Sequence, residues 1–247
     1  MVYGKLFNYL LCPIGHSTQD TSGDNVVVGQ RNCMSKCYMC DQTAVGDEHV
    51  PPKCLFPKAK DLPIGVNLRK NLITVPSCVD HNSEKSREDQ YFLNVITSCE
   101  IINEVGREHY RRQIRRQNER NQSILARFAD RAVEIDNRFA HTVEIDRLDS
   151  FVEHLAYALY FAHFGNRWHG DLGWVPEFLS RIADPNPEVE HARLALVEEC
   201  NLEFRDVPYH GANPQVFTYQ VLETKEQCTM RLHFYEGCKI LLIFSKS

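Results

Sequence analysis

The chain has 247 residues, of which 43% are hydrophobic and 25% charged, and its formal net charge is −5. These values are typical of a soluble globular protein and exclude a low-complexity chain. No apolar run approaches the length of a membrane span and the start of the sequence does not resemble a secretory signal, so we expect a cytoplasmic protein with no membrane partner. The ten cysteines are then better explained as free thiols or metal ligands than as disulfides.

The predicted fold class is α+β, and the chain divides into three parts. Residues 1–32 form an N-terminal extension, with one short strand predicted at 26–28. Residues 33–100 form a small domain with the order strand, strand, helix. Residues 101–247 form an accessory domain of long helices followed by a small antiparallel sheet.

Proline and turn signals set the elements of residues 33–100. A short strand begins at residue 47 and leads into an irregular segment containing Pro51 and Pro52, which exclude a helix there. A loop at 59–70 precedes a β-branched strand at 72–75, which ends at Pro76. A helix of about 15 residues then starts near Ser83, capped by Asp80 or Asn82.

Two pairs of ligand-type residues bracket these strands. Two residues separate Cys37 from Cys40, and two residues separate Cys78 from His81. Paired spacing of this kind, with turn residues beside each pair, indicates one structural, tetrahedral Zn²⁺. A domain this small buries too little apolar surface to be stable alone, so the metal would stabilise it.

The alternative for these pairs is a set of free thiols without a metal. Two further cysteines, Cys33 and Cys54, lie close enough in sequence to replace one of the four predicted ligands.

A histidine that follows two carboxylates lies between the two pairs. Asp47 and Glu48 precede His49, whose neutral imidazole can accept a proton near physiological pH. A carboxylate and the amide oxygen of Asn82 could hold a hard ion such as Mg²⁺ or Mn²⁺. A base beside a divalent ion is suited to phosphodiester hydrolysis. The alternative is that these are ordinary surface groups.

Residues 100–135 are predicted to form a long helix rich in Arg and Glu. Four of its arginines repeat at i, i+1, i+4 and i+5, which makes one basic stripe: Arg111, Arg112, Arg115 and Arg116. The stripe is a candidate for binding nucleic-acid phosphates, and a solvated helix face is the alternative.

The rest of the accessory domain alternates between helix and strand patterns. An amphipathic helix is predicted at 147–164 and ends at Gly165. Residues 166–187 are predicted as loop with one short helix. Strand patterns follow at 216–222, 228–235 and 239–244, the last two joined by a tight turn at Glu236 and Gly237.

These motifs together resemble the HNH endonuclease (ββα-metal) superfamily over about a quarter of the chain. The matching motifs are Cys37-x2-Cys40, Glu48-His49-Val50-x-Pro52, Asn71-Leu72, Cys78-x2-His81-Asn82, Lys85 and Asp89-Gln90-Tyr91-Phe92. Two departures concern ligands. His81 stands where the family usually has Cys, and Glu48 stands where it usually has Asp.

The resemblance implies a role for each matched residue. His49 would be the general base and Asn71 would orient it. Glu48 and Asn82 would hold the catalytic divalent ion, with Asp47 as the alternative to Glu48. Lys85 would join the arginine stripe in binding nucleic acid. The structural zinc ligands would be Cys37, Cys40, Cys78 and His81.

The expected activity is therefore metal-dependent hydrolysis of DNA, with RNA as an alternative substrate. A homodimer is compatible with the sequence. Two other functions stay open: a zinc-containing nucleic-acid-binding module without catalysis, and control of the nuclease by a ligand or protein partner bound to the C-terminal domain.

Overall fold

The structure is a computed structural model that describes residues 35–83, 86–120, 132–135, 138–179 and 186–246. The strand predicted at 26–28, Cys33 and Lys85 lie outside these residues. The described part is a mixed α+β fold, as predicted. Its helices are α1 (Val79–Ser83), α2 (Ser86–Thr97), α3 (Glu104–Arg120), α4 (Ile145–Phe164) and α5 (Pro187–Glu203).

The strands form two hairpins and one larger sheet, all antiparallel. The first hairpin pairs β1 (Gly46–Val50) with β2 (Ile73–Ser77), and the second pairs β3 (Ala132–Ile135) with β4 (Arg138–His141). The larger sheet has the order β5-β9-β8-β7-β6. Its strands are β5 (Asp171–Pro176), β6 (His210–Asn213), β7 (Phe217–Glu223), β8 (Gln227–Phe234) and β9 (Cys238–Ser245).

The apolar run in β9 places buried side chains on both faces of this sheet. Because side chains alternate along a strand, Ile240, Leu242 and Phe244 of β9 point to one face, and Leu241 and Ile243 point to the other. The first face packs on α2 and α4. The second packs on α5 through a smaller buried cluster. Burial on both faces accounts for five consecutive apolar residues in one strand.

The main core lies where α2, α4 and the larger sheet meet. Phe92 of α2 stacks on Phe151 of α4, with ring centroids 4.0 Å apart, and meets Phe234 of β8 edge-on at 5.1 Å. The same buried cluster extends to Cys37 and Cys78 in the first hairpin region. Side chains on both sides of residue 100 thus share one core, and the division of the chain at that residue stays a prediction.

Helix α4 confirms the predicted amphipathic helix. Its buried positions follow helical spacing, and Gly165 ends it in the left-handed conformation with φ of 72°. None of the helices in the described ranges combines the length and apolar character that crossing a membrane requires.

Three predicted elements were wrong. The helix predicted for residues 100–135 does not extend to residue 135: α3 covers Glu104–Arg120, and Ala132–Ile135 is a strand because it pairs with Arg138–His141. The loop predicted after Gly165 contains β5, which pairs with β9 along the sheet edge. The helix predicted from Ser83 is preceded by α1, so Asp80 and Asn82 lie within a helical turn instead of capping one.

Candidate functional site

The first cysteine pair lies in a tight turn that docks on the hairpin. The Cys37 N–H donates to the Gln42 carbonyl at 2.9 Å, which closes the turn. The Tyr38 N–H donates to the Pro76 carbonyl of β2, also at 2.9 Å. Helix α1 starts directly after Cys78, so the turn, the end of β2 and α1 meet at one point.

Four ligand-type side chains converge at this point. Their ligand atoms, the Sγ atoms of Cys37, Cys40 and Cys78 and a ring nitrogen of His81, all lie within 4.8 Å of one another. The Nδ1 atom of His81 lies 3.5 Å, 3.6 Å and 3.2 Å from the Sγ atoms of Cys37, Cys40 and Cys78. The predicted zinc ligand set is therefore brought together, and Cys54 is not part of it.

The spacing of these atoms fits a tetrahedral zinc ion. Zn–S bonds of about 2.3 Å and Zn–N bonds of about 2.0 Å place sulfur atoms about 3.8 Å apart and sulfur and nitrogen about 3.5 Å apart. The Sγ atoms of Cys40 and Cys78 are 3.8 Å apart. A Cys₃His set with these distances could hold a metal such as zinc.

The local backbone favours a thiolate at the first ligand. Burial raises the pKa of Cys37, but hydrogen bonds from the backbone at Met39, Cys78 and Cys40 outweigh burial and lower that pKa to about 6. The turn thus stabilises the charge that a metal-bound thiolate carries.

The hairpin beside this cluster carries the predicted acid–base residues into one cleft. Strand β1 pairs Glu48 with Val75 and His49 with Thr74. A cleft of about 250 Å³ is lined by Asp47, Glu48 and His49 together with Asn82 of α1. Three residues predicted as base and ion ligands, His49, Glu48 and Asn82, therefore line one cavity, and so does the alternative ligand Asp47.

The imidazole of His49 is half-buried in this cleft. Its Nδ1 atom is buried and has no hydrogen-bond partner within the described part of the chain. Burial, followed by the charges of Lys53 and Arg69, lowers the pKa of His49, and Asp47 partly opposes them. The neutral ring, with a nitrogen able to accept a proton, is the favoured form.

Glu48 is linked to the first cysteine pair through Tyr38. This tyrosine lies between Cys37 and Cys40 in sequence, is 1% exposed, and hydrogen-bonds to the Glu48 carboxylate through its hydroxyl. Burial and the Glu48 charge raise the pKa of Tyr38, so its hydroxyl stays protonated. The turn that supplies two metal ligands thus also positions a carboxylate of the cleft.

Helix α4 forms a wall of the cleft that the sequence did not predict. Ser150, His154 and Ala158 lie one turn apart and line the cavity. The Nδ1–H of His154 donates to the Ser150 carbonyl at 2.7 Å, and the rings of His154 and His81 are 5.9 Å apart. The sequence signal for His154 was a histidine within a mostly apolar stretch of helix. Glu88 and Asp89 of α2 line the same cavity.

The other predicted site residues lie elsewhere. Asn71 has a positive φ of 53° in the bend before β2 and does not line the cleft. Arg111 bonds to Glu104 and Glu108, Arg112 bonds to Glu108, and Arg116 bonds to Asp61. Arg115 lies on the same helix, and its side chain is outside the described part. The charges of the three described arginines are thus matched by carboxylates.

Comparisons of the sequence with protein-family models and with curated proteins return no match, and no solved structure matches the chain. The resemblance to the HNH superfamily accordingly stays a prediction from motifs.

Proposed function

We propose that the chain is a metal-dependent endonuclease of the HNH (ββα-metal) type that hydrolyses DNA phosphodiester bonds. The observation that carries the proposal is the cleft in which His49, Glu48 and Asn82 meet beside the Cys₃His cluster. The order hairpin then helix, with metal-type ligands where the two join, is the arrangement that the motifs predicted.

In the proposed reaction, His49 acts on a water molecule. A nitrogen of its neutral imidazole accepts a proton from the water, whose oxygen bonds to phosphorus as the bond from phosphorus to the 3′-oxygen breaks. The leaving oxygen takes its proton from solvent. The donors of the cleft, carboxylate and amide oxygens, suit Mg²⁺ or Mn²⁺. Glu48 and Asn82 would hold the ion, which when bound supplies Lewis-acid stabilisation of negative charge on the phosphate and the leaving oxygen.

The test is cleavage of plasmid and linear DNA with Mg²⁺ or Mn²⁺ by the wild type and by His49→Ala. Loss of the base should slow cleavage about 10²- to 10⁴-fold while zinc content and folding stay unchanged. His191→Ala, an exposed histidine of α5, is the matched control and should cleave at the wild-type rate.

Three outcomes would count against the proposal. Wild-type cleavage by His49→Ala would remove the base from the mechanism. Loss of zinc in that variant would make His49 a structural ligand. A wild type that cleaves neither single- nor double-stranded DNA or RNA with any divalent ion would favour the zinc-containing binding module without catalysis.

A further inference from the structure

The connection between β1 and β2 carries an excess of positive charge. We call residues 51–72 the basic loop, because five basic residues there face one acidic residue, Asp61. Four of the five are exposed lysines, none of which forms an ion pair with another described residue. These basic residues are Lys53, Lys58, Lys60, Arg69 and Lys70.

Asp61, the one acidic residue of the basic loop, forms its ion pair with a residue outside the loop. The Asp61 carboxylate accepts a hydrogen bond from Arg116 of α3, and only 8% of its side chain is exposed. That bond lowers the pKa of Asp61 and keeps the carboxylate ionised within the pair. Nearby on α3, Glu104 and Glu108 are paired with arginines of the same helix. None of the four lysines forms an ion pair with a described carboxylate, although Lys60 lies near enough to Asp61 to act on its charge and Lys53 shares the cleft with carboxylates.

The apex of the basic loop is apolar and exposed. The Val66 N–H donates to the Pro63 carbonyl at 3.0 Å, and Gly65 has a positive φ of 88°, as a type II turn requires. This turn places Ile64 at its tip, fully exposed, and leaves Val66 37% exposed. Exposing both side chains to water is unfavourable, so the apex would gain stability on contact with an apolar surface.

The base of the basic loop is fixed in place. The Arg69 guanidinium donates two hydrogen bonds to the Phe56 carbonyl, at 2.8 Å and 2.7 Å. Asn213 of β6 donates to the Lys70 carbonyl at 2.9 Å. With the Arg116–Asp61 pair, these contacts hold the base, so little conformational freedom would be lost when the apex binds a partner.

We propose that the basic loop docks the protein on duplex DNA, with the lysines on backbone phosphates and Ile64 wedged between base steps in the minor groove. Proteins that bind the minor groove in this way combine basic side chains with an apolar side chain inserted between bases. The basic loop has both features, exposed lysines and an exposed apolar tip. Lys53 also lines the cleft that contains His49, so a duplex on the basic loop lies against the cleft. The choice of DNA over an anionic lipid surface rests on the proposed function and on this position of Lys53.

The first test is DNA binding without cleavage, measured by fluorescence anisotropy of a labelled duplex in EDTA-free buffer containing Ca²⁺. Lys58→Gln/Lys60→Gln should weaken binding by up to about tenfold per lost contact near 0.1 M salt. The double variant should also reduce the salt slope by up to about 0.9 per contact. Lys225→Gln/Lys246→Gln changes two exposed lysines that lie just outside the strands of the larger sheet, and this matched control should bind as the wild type does.

The second test addresses the wedge. Ile64→Ser should weaken binding about tenfold without changing the salt slope, because it removes apolar contact and no charge. The same variant should abolish the fluorescence rise of a 2-aminopurine placed at the docked step, which reports unstacking. Leu194→Ser, an exposed leucine of α5, should change neither measurement.

The outcomes separate this inference from the nuclease proposal. Equal binding by wild type and Lys58→Gln/Lys60→Gln, in a protein that cleaves DNA, would overturn the docking role and leave the nuclease. If the wild type cleaves nothing but binds DNA, and this binding depends on the lysines and on Ile64, the nuclease proposal would be overturned and the docking role would remain. The inference would be overturned in favour of a membrane by three results together. The wild type would bind phosphatidylserine vesicles, Ile64→Ser would abolish that binding, and DNA binding would be unchanged.

Discussion

At the scale of single residues, Tyr38 has two structural roles. Its backbone N–H docks the cysteine turn on β2, and its hydroxyl hydrogen-bonds to Glu48 in the cleft. A hydrogen bond to a charged group typically contributes about 1.5–3 kcal/mol, so this contact restricts where the Glu48 carboxylate can lie. Tyr38 is therefore a positioning residue for the proposed ion site.

We expect Tyr38→Phe to raise the Mg²⁺ concentration needed for half-maximal cleavage several-fold, with a smaller effect on the rate at saturating Mg²⁺. The reason is that the ring still fills the core, and only the bond that orients Glu48 is lost. A Mg²⁺ titration of cleavage, with zinc content as a check on folding, measures this. Tyr160→Phe, in α4, should leave the titration unchanged. An unaltered Mg²⁺ dependence in Tyr38→Phe would remove Tyr38 from the site.

The residues of the site differed in how far the sequence could predict them. The four cluster residues were predictable because ligand pairs separated by two residues follow from local turn geometry. His154 and Tyr38 were not, because their roles depend on contacts between segments far apart in sequence. His154 reaches the cleft only because α4 packs against the β1–β2 hairpin, and no local pattern shows that packing.

At the scale of elements, we expect the hairpin of β1 and β2 to gain stability from a metal bound at the adjoining Cys₃His cluster. Two five-residue strands and the five-residue α1 have little apolar surface of their own, so a metal at the cluster would supply much of their stability.

We expect Cys37→Ser to release the metal and to lower the free energy of unfolding by about 3 kcal/mol or more, a fall in Tm of roughly 6–12 °C. Thermal unfolding with and without a zinc chelator, together with metal analysis, measures both effects. Cys54→Ser is the control, because burial raises the pKa of Cys54 to about 12 and its thiol lies outside the cluster. A Cys37→Ser protein with normal zinc content would contradict the ligand assignment.

Element types were predictable where one face of the element sets the pattern. The 20-residue α4 has a regular buried stripe, and β7, β8 and β9 have β-branched and aromatic runs. Strands β5 and β3 were missed for a physical reason: each is defined by its hydrogen-bonded partner more than by its own composition. Gly173 and Pro176 in β5 are unfavourable in a strand interior, yet the strand pairs with β9 at the sheet edge, where such residues are tolerated.

At the scale of the whole molecule, His233 in the larger sheet makes stability depend on pH. It is 7% exposed, and its Nε2–H donates to the Gln220 side chain at 3.0 Å. Burial, with the charges of Lys239 and Arg231, lowers its pKa to about 4. In the unfolded chain the pKa is about 6.5, so between these values the unfolded state binds more protons.

The contribution of His233 to the free energy of unfolding is therefore fully present above about pH 6.5 and is lost as the pH falls towards 4. We expect a loss of roughly 1–3 kcal/mol over that window, measured by urea unfolding at several pH values. His233→Gln should flatten the pH dependence, since an amide keeps a donor but does not titrate there. His169→Gln, at an exposed histidine, is the control, and equal slopes in both variants would contradict the assignment.

The buried hydroxyl of Tyr235 also has a consequence for the time at which the cleft is completed during synthesis. It donates to the Leu55 carbonyl across 180 residues of sequence and accepts from His109 of α3. At about 5–20 residues per second, a ribosome needs roughly 10–40 s to make that intervening chain. The first part of the basic loop, which follows His49 and β1 in the chain, thus waits for Tyr235 before the Leu55 carbonyl gains this partner, and the cleft lacks a wall until α4 is made. The nuclease proposed above would accordingly complete its cleft only after most of the chain has been made.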